Sequence, residues 1–574
     1  MYDIIIRGGR ILDGSGDSEF IGDVAIQNGV IAEVAASIEA PASRIVDATG
    51  LLVTPGFVDI HTHYDAQATW DPFVTPSGWH GCTTVVMGNC GVGFAPCKPE
   101  NRQWLINVME GVEDIPGSAL TEGIKWDWET FPEYMDALEQ LPRTVDIAAQ
   151  VPHAAVRCYV MGEAGSENQD ATPEEIKRMK ELTIEGLEAG ALGFSTSRTP
   201  LHRSSDGVLV AGTFAQIDEL AAFGEALKEV GFGVFEAALE HIKVPDEMHW
   251  LRDIAASSGQ TVIFNLSQTW EYPEMWKQVL EQLEAAAAQD IPLYAQSAGR
   301  AIGILMSWLG TAHPFLVYPA YWTHCGGLDG EEKLAKLRDP AVRDEILADS
   351  PVDAGEFANF IATSFDKMYL FDEHRDYEPG DEQSVTAYAE RAGKSPQEVA
   401  YDALIANDGR GFLYFPLFNY ADRNLEPLRA MHLHDRVRMG LSDGGAHCGA
   451  ICDAGMPTFM LTHWARDRTR GERIPLETII YRQTRQTAET YGLLDRGLLK
   501  PGYRADVNII DYEGLSLGAP EMVYDLPAGG RRLLQKASGY KMTICAGEVV
   551  LEDDECTEAR PGKVIRGPQA DPVS

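Results

Sequence analysis

Residues 53–63 read VTPGFVDIHTH, a short apolar run that follows the Pro55-Gly56 turn and ends in His61 and His63. Side chains at positions i and i+2 of a β-strand lie on the same face, so the two imidazoles are expected to leave the strand end together. Two imidazoles held in this way can bind one metal ion. Two loop histidines without a ligand are the alternative, but the turn before the strand favours a metal site.

Beyond residues 53–63, apolar strands alternate with amphipathic helices whose apolar residues recur at i, i+3 and i+4. The candidate strands are residues 58–61, 83–88, 144–150, 191–195, 233–238, 261–266, 292–296 and 437–442. This pattern predicts an α/β fold with a (β/α)8 TIM-type barrel over residues 55–495. The stretches around 98–141 and 308–427 exceed a minimal barrel and are predicted to be insertions, which commonly form lids or substrate walls.

The two ends of the chain read as β-structure. Residues 1–54 form short alternating runs with Asn28-Gly29 at a hairpin turn, and residues 496–574 contain LKPGYRADVNIID and MTICAGEVVLED before a polar tail. The segment PGFVDIHTH resembles the first barrel strand of the amidohydrolase superfamily, in which both chain ends pair into a small β-sandwich domain. The resemblance implies the same pairing here. Two unrelated β-tails are the alternative.

Composition limits the partners and the compartment. The formal net charge of −40 argues against a nucleic-acid or anionic-membrane partner, which would need clustered lysine and arginine. No apolar run of about 18 residues is present that could span a bilayer. The N-terminal MYDIIIRGGRILDG lacks the features of a signal peptide, and nine scattered cysteines fit reduced thiols, so we expect a cytoplasmic protein with a small-molecule substrate. The sequence does not fix the oligomeric state.

Cys90 lies where the second predicted strand ends, in the glycine-flanked run TTVVMGNCGVGFAP. A thiolate there would be a strong ligand for zinc, although a buried inert cysteine is the usual alternative. The run GNCG with a nearby Ala-Pro resembles the N-acyl-D-amino-acid deacylases, or D-aminoacylases, in which the corresponding cysteine is a metal ligand. The segments WDWETFPEYMDALE, VPHAAVRCYVMG and GLEAGALGFSTS carry the same resemblance, which therefore covers most of the chain.

Asp443, in MGLSDGGAH, follows the last predicted strand. The resemblance makes it the last-strand aspartate of the superfamily, which lies beside the metal and accepts a proton from the metal-activated water. A metal lowers the pKa of water from 15.7 to about 7, and a nearby carboxylate can then carry the proton. An Asp-Gly turn without a role is the alternative. His61, His63, Cys90 and Asp443 are thus the predicted ligands of Zn²⁺, and one ion is a simpler inference than two.

The sequence departs from the deacylase pattern at two strands. That family carries metal-binding histidines at the ends of the fifth and sixth strands, where this chain reads GFGVFEAALEH and TVIFNLSQTW. Glu236 and His241 are the candidate replacements. The run GALGFSTS also lacks a lysine, so the carbamylated-lysine bridge of dihydropyrimidinase-type relatives is not available.

The residues expected to contact the substrate also differ from the deacylase pattern. The family holds the substrate carboxylate with a lysine after the sixth strand and an arginine after the last-strand aspartate, but this chain has Gln268 and the run CGAICDAGMPTFML there. Arg300 and Arg198 are the remaining cationic candidates near strand ends, and either could bind a carboxylate or serve as a structural ion-pair partner. His447 is a candidate proton carrier, ligand or substrate contact, or a loop histidine without a role.

These features predict a metal-dependent hydrolase that cleaves a linear amide C–N bond, of an N-acyl amino acid or an N-acyl amine, with Asp443 as proton shuttle. One alternative is hydrolysis of an ester, lactone or carbamate by the same machinery. The other is a non-catalytic binding protein on an amidohydrolase fold, because the usual histidines of strands five and six are missing.

Overall fold

The computed structural model describes residues 1–572. The strands are β1 (Tyr2–Ile11), β2 (Phe20–Gln27), β3 (Val30–Ala35), β4 (Ala42–Asp47), β5 (Leu52–Pro55), β6 (Phe57–Asp59), β7 (Cys82–Met87), β8 (Asp146–Ala149), β9 (Val151–Pro152), β10 (Gly193–Ser197), β11 (Val234–Ala238), β12 (Thr261–Asn265), β13 (Leu293–Ser297), β14 (Gly303–Met306), β15 (Tyr369–Phe371), β16 (Phe412–Pro416), β17 (Val437–Met439), β18 (Val507–Ile510), β19 (Ser516–Leu526), β20 (Gly530–Ser538), β21 (Tyr540–Cys545), β22 (Glu548–Glu552) and β23 (Glu555–Cys556).

The helices are α1 (Arg102–Glu113), α2 (Gly117–Gly123), α3 (Phe131–Glu139), α4 (His153–Met161), α5 (Glu163–Ser166), α6 (Pro173–Glu188), α7 (Ile217–Val230), α8 (Val244–Ser258), α9 (Met275–Ala287), α10 (Pro319–Cys325), α11 (Gly330–Leu337), α12 (Pro340–Ala348), α13 (Glu356–Thr363), α14 (Val385–Ala392), α15 (Pro396–Gly409), α16 (Glu426–Leu433), α17 (Met456–Phe459), α18 (Leu476–Gln483) and α19 (Arg485–Thr490). A π-helical segment, Met460–Asp467, continues α17.

The fold is α/β, and its parallel strands occupy the eight places that the sequence predicts. One parallel sheet has the order β17-β13-β12-β11-β10-β9, and another has the order β6-β7-β8. Only Gln150 separates β8 from β9, and a parallel bridge between Thr62 and Gly444 joins the segments that follow β6 and β17. The pairings therefore run from β6 to β8 and from β9 to β17, and the Thr62–Gly444 bridge joins the segments that follow the first and last of these strands.

The helices between the parallel strands begin and end at recognisable signals. Before α6, the Thr172 hydroxyl accepts the Glu175 N–H while the Glu175 carboxylate accepts the Thr172 N–H, which is a capping box. Helices α7 and α8 end at Gly231 and Gly259, which have φ of 87° and 70° in the left-handed region. Among residues 1–572, the helices are all too short or too polar to span a bilayer.

Both ends of the chain contribute to one sheet, with the order β23-β22-β21-β18-β5-β1-β2-β3 and with β4 beside β1. Its two parts meet where β5 and β18 pair antiparallel, with Val53 opposite Ile509. Buried isoleucine and valine side chains from both ends pack together on this sheet. Strands β19 and β20 form a separate hairpin. The strand before the His-x-His segment is thus anchored by residues from the far end of the sequence.

The two long stretches between parallel strands have structure of their own. Residues 98–141 contain α1, α2 and α3. The longer stretch contains α10–α15 and the antiparallel sheet β14-β16-β15, and its own buried cluster includes Trp308, Phe315 and Leu413. Because β14 pairs with β16, this lobe begins a few residues before position 308.

A buried ion pair connects the longer stretch to the π-helical segment, and it carries a prediction for acid stability. Glu378 contacts Arg468 Nη2 and His463 Nε2, each at 2.8 Å. Burial opposes the charged carboxylate, but the hydrogen bonds from His463 and Arg468 outweigh it and lower the pKa of Glu378 from 4.5 to about 2. The contribution of the ionised Glu378 carboxylate to folding stability is therefore complete above pH 4.5 and is lost as the pH falls towards 2.

We therefore expect Glu378→Gln to lower the thermal unfolding temperature by several degrees at pH 7. The difference from the wild type should shrink as the pH falls through this window, as calorimetry at pH 7, 4 and 3 would show. Glu426→Gln is the control, because Glu426 also lies 2.8 Å from Arg468 but is half exposed. An equal effect of the two variants at pH 7 would refute this prediction.

Candidate metal centre

The ends of β6 and β17 bring the predicted histidines and aspartate together. The Asp443 N–H donates to the His61 carbonyl at 3.2 Å, and the His63 N–H donates to the Gly444 carbonyl at 2.8 Å. These backbone hydrogen bonds fix the loop after β17 against the His-x-His segment. The first and last parallel strands thus meet at the site.

His61, His63 and Cys90 form a compact group, which we name the ligand cluster. All three residues are buried, and their ligand atoms lie within 4.8 Å of one another. Cys90 Sγ is 3.3 Å from His61 Nε2. Asp443 Oδ1 lies 3.4 Å from His61 Nε2 and 3.6 Å from His63 Nε2. Two imidazole nitrogens, one sulfur and one carboxylate oxygen therefore converge, which is a donor set suited to zinc.

Two neighbours orient the imidazoles. His61 Nδ1 lies 3.1 Å from Gln296 Oε1 on β13, and His63 Nδ1 lies 3.2 Å from Glu113 Oε1 at the end of α1. The Gln296 contact is a hydrogen bond, and the Glu113 contact is an ion-pair approach without hydrogen-bond geometry. Both neighbours lie on the Nδ1 side of a ring, and Nε2 of each ring lies within 3.6 Å of Asp443 Oδ1 on the ligand-cluster side. Neither Gln296 nor Glu113 was predicted, and no local pattern around them indicates this role.

Cys90 occupies a strained turn supported by Glu236. Its φ is 56°, which is uncommon for a residue other than glycine. The Cys90 N–H donates to Glu236 Oε2 at 2.9 Å, while Glu236 Oε1 is buried without a hydrogen-bond partner. A buried polar atom without a partner costs free energy, and a metal ion would supply one. The structure thus places Glu236, a predicted candidate, directly behind the cysteine.

The charges around the ligand cluster also fit a cation. Burial raises the pKa of the Cys90 thiol well above its ordinary value, and the carboxylates of Glu236, Glu113 and Asp443 raise it further. Burial opposes a charged His63, but Glu113 and Asp443 outweigh it and raise its pKa to about 9. Burial likewise opposes a charged Asp443, but His63 and its neighbours hold the pKa below its usual range. The group therefore attracts positive charge, which a metal ion supplies while keeping the thiol ionised.

The other predicted histidines have different surroundings. His447 Nε2 lies 3.8 Å from Glu113 Oε2, so His447 is linked to the ligand cluster through Glu113. The His241 ring stacks on Phe418 with centroids 4.1 Å apart and is not part of the ligand cluster. Burial lowers the pKa of His241 to about 4. His241 is thus placed as a neutral ring on an aromatic neighbour.

Both predicted arginines are engaged in ion pairs. Arg300 is buried, and its Nη2 lies 2.9 Å from Asp453 Oδ1. Arg198 Nε lies 3.3 Å from Glu247 Oε2, and its Nη1 donates to a backbone carbonyl at 2.7 Å. Gln268 is also engaged, since its side-chain oxygen accepts the Ala421 N–H. The structure therefore shows for both arginines the ion pairs that were the alternative to a substrate role, and their substrate role stays a prediction.

One further histidine near the site was not predicted. His202 follows β10, and its Nδ1 lies 2.9 Å from the Ser197 hydroxyl. Burial lowers the pKa of His202 to about 3, and neighbouring histidines act in the same direction. Its position after a parallel strand is the one signal by which the sequence could have identified it.

Comparison with known proteins gives matches over nearly the whole chain. The model of the amidohydrolase family matches residues 44–551. The D-aminoacylase of Alcaligenes xylosoxydans xylosoxydans is 27% identical over 571 residues, which cover 98% of this chain and 97% of that protein. The N-acyl-D-aspartate deacylase of the same organism is 26% identical over 584 residues, which cover 100% and 96%.

Solved structures agree on the fold. A D-aminoacylase described with a binuclear metal centre superimposes with a TM-score of 0.65 at 21% identity, covering 99% of this chain and 100% of that one. An N-acyl-D-glutamate deacylase from Bordetella bronchiseptica, complexed with zinc and a phosphonate inhibitor, gives 0.63 at 20% identity and covers 98% and 99%. The predicted resemblance is confirmed: the chain belongs to the amidohydrolase family and is an amidohydrolase that acts on carbon–nitrogen bonds other than peptide bonds.

Proposed function

We propose that this protein is a metal-dependent hydrolase that cleaves the linear amide C–N bond of an N-acyl amino acid or N-acyl amine. The observation that carries the proposal is the convergence of His61, His63, Cys90 and Asp443 at the ends of three parallel strands. The relatives named D-aminoacylase and N-acyl-D-aspartate deacylase, matched along their lengths, support this reaction class.

The proposed architecture is the distorted (β/α)8 barrel with a β-sandwich beside it. We assign the barrel to residues 55–495, with insertions around 98–141 and 308–427. The sandwich is assigned to residues 1–54 and, together with a polar tail, to residues 496–574, of which the last two lie outside the described residues. The return of the parallel pairings from β17 to β6 and the shared sheet of the two chain ends support this division. The site then lies at the carboxyl ends of the barrel strands, where active sites of such barrels are built.

The proposed cofactor is one zinc ion held by His61, His63, Cys90 and Asp443, with Glu236 as the nearest further candidate ligand. When bound, zinc supplies Lewis-acid chemistry that activates water and polarises a carbonyl oxygen. A zinc-containing deacylase structure of the same fold supports this choice of metal. Gln296 and Glu113 keep both imidazoles turned towards the centre.

Asp443 is proposed to move the proton. Its side chain is 12% exposed, whereas those of His61 and His63 are 1% exposed, so Asp443 is more accessible than the two imidazoles. Its pKa lies below the usual range, so the carboxylate is ionised and can accept a proton from the attacking water. The proton then passes to the leaving nitrogen as the C–N bond breaks, which gives a carboxylic acid and an amine.

A matched set of substrates tests this proposal. We expect zinc-loaded protein to hydrolyse an N-acyl amino acid or an N-acyl amine from a panel that contains both hands of each amino acid. Because Arg198 and Arg300 are already paired, converting the carboxylate of an accepted substrate to its primary amide should change KM by less than about tenfold, the scale of one charge-assisted hydrogen bond. Initial rates are measured on the N-acyl amino acid, on its primary amide and on the analogue in which an ester replaces the scissile amide bond. These rates show whether the amide bond is cleaved, whether the carboxylate matters and whether an ester is preferred.

The outcomes separate the alternatives. Turnover of the esters with none of any amide would replace the proposal with an ester, lactone or carbamate hydrolase. Tight binding of the panel without turnover of any member would favour a binding protein. A much larger increase in KM on converting the substrate carboxylate to its amide would show that a cationic side chain reaches the substrate in spite of the ion pairs of Arg198 and Arg300.

A further inference from the structure

Helix α1 ends against the ligand cluster although it belongs to the stretch of residues 98–141. Its last residue, Glu113, is 1% exposed. Glu113 Oε1 lies 3.2 Å from His63 Nδ1, and Glu113 Oε2 lies 3.8 Å from His447 Nε2. Val112 and Met109, one and four residues earlier, are buried in the main core and fix the helix. The carboxylate is therefore held between two histidines that follow β6 and β17.

The same end of α1 also holds the loop after β17. The Glu113 carbonyl accepts the His447 N–H. The next residue, Asp114, accepts the Gly449 N–H at 2.9 Å and the Thr311 hydroxyl at 2.6 Å through Oδ2. Glu113 and the C-cap residue Asp114 thus contact the backbone of the loop at two points, and Asp114 also contacts Thr311 in the longer stretch.

The loop needs such support because its backbone is strained. Asp443 and His447 both have φ of 50°, a conformation that residues other than glycine adopt only when their surroundings impose it. On the strand side, Asp443 is held by the hydrogen bond from its N–H to His61. On the other side, the contacts with Glu113 and Asp114 hold the loop.

We infer that Glu113 is a positioning residue of the metal centre. It fixes the His63 ring so that Nε2 faces the ligand cluster, and its carbonyl holds the loop that carries Asp443. The inference rests on the proposed function. It assigns to an insertion, outside the parallel strands, a part in building the site.

Glu113 places a carboxylate oxygen 3.2 Å from His63 Nδ1, so that it can serve as the acceptor for a proton on that nitrogen. An acceptor there keeps the proton on Nδ1 and leaves the Nε2 lone pair for a metal, and a carboxylate also makes the ring a stronger ligand. Removing such a partner typically costs about 10- to 100-fold in metal affinity. Glutamine can still offer an oxygen to Nδ1, whereas leucine has nearly the same size and offers no acceptor.

The test compares Glu113→Leu with Glu113→Gln. Zinc affinity is measured by competition with a chromophoric chelator, and the visible spectrum of the cobalt-loaded protein reports on the ligand geometry. We expect E113L to bind zinc about 10- to 100-fold more weakly than the wild type and to change the cobalt spectrum. E113Q should recover most of the affinity. Thermal unfolding shows whether each variant is folded.

Glu219 provides the matched control, because it is another buried carboxylate that contacts a histidine, with Glu219 Oε1 2.8 Å from His153 Nε2. Glu219→Leu and Glu219→Gln should alter the unfolding temperature and leave zinc affinity within about threefold of the wild type. If E113L does not fold, Glu113→Asp replaces it, because the shorter side chain keeps the charge but withdraws it from His63, and the same weakening is expected.

Three results would overturn the inference. Equal zinc affinity of E113L, or of E113D in its place, and the wild type would show that Glu113 does not position His63. Equal weakening in E113L and E219L would show a general effect of disturbing a buried ion pair. A wild type that binds no zinc would remove the proposed function as well, so the two failures are distinguishable.

Discussion

Asp443→Asn is expected to lower kcat by about 10²-fold or more, because asparagine cannot accept the proton of the attacking water. The substitution keeps the shape of the side chain and one oxygen beside His61 and His63. Bound metal and KM should therefore change little. Steady-state kinetics together with metal analysis of the same samples check both expectations.

The control is the same change at an exposed position, Asp246→Asn on α8, which should leave kcat unaltered. Wild-type turnover by D443N would rule out Asp443 as the proton carrier. Loss of the metal from D443N would show a role in metal binding that masks any role in proton transfer, and His447, two contacts away through Glu113, would become the next candidate.

Local patterns predicted the positions of the parallel strands and of the two histidines of the ligand cluster. The eight strands are short apolar runs between helices with a period of 3.6, and both signals are carried by neighbouring residues. The His-x-His spacing places two imidazoles together for the same reason. Cys90 and Asp443 were added by the family resemblance, and the structure brings both of them to the two histidines.

Contacts between distant segments could not be predicted in this way. Gln296 is 235 residues from its partner His61, and Glu113 reaches His63 from a helix in an insertion. The ion pairs of Arg198 and Arg300 could not be predicted either, because their partners are distant in the sequence. Their positions near strand ends suggested substrate contacts, but the acidic partner of Arg300 lies 153 residues further along the chain. Pairing of this kind is decided by packing and has no signature in the local sequence.

The long stretch before the last parallel strand shows a related limit. Its helices could be expected from periodicity, but its antiparallel sheet depends on the pairing of β14 with β16, in which Gly303 lies opposite Pro416. Its own buried cluster likewise joins residues from Ile304 to Phe415. The lobe consequently starts at β14, before the predicted position. Composition alone gives no boundary there, because the apolar residues of β14 resemble those of the neighbouring parallel strands.

The second large expected effect is the loss of bound metal when both histidines of the ligand cluster are replaced. The double substitution His61→Ala/His63→Ala removes two of the four proposed ligand groups, and neither Cys90 nor Asp443 can hold zinc firmly without them. We expect the variant to lose its bound metal and hydrolytic activity together. The control is His249→Ala/His374→Ala, which changes two exposed histidines and should keep both properties.

Elemental analysis of metal per chain, on the wild type, this double variant and its control, tests the central claim most directly. About one zinc ion per chain in the wild type and in the control, and none in H61A/H63A, is the predicted result for a four-ligand site. Full metal content in H61A/H63A, or a wild type that remains metal-free after metal-replete expression, would contradict a metal centre at His61, His63 and Cys90.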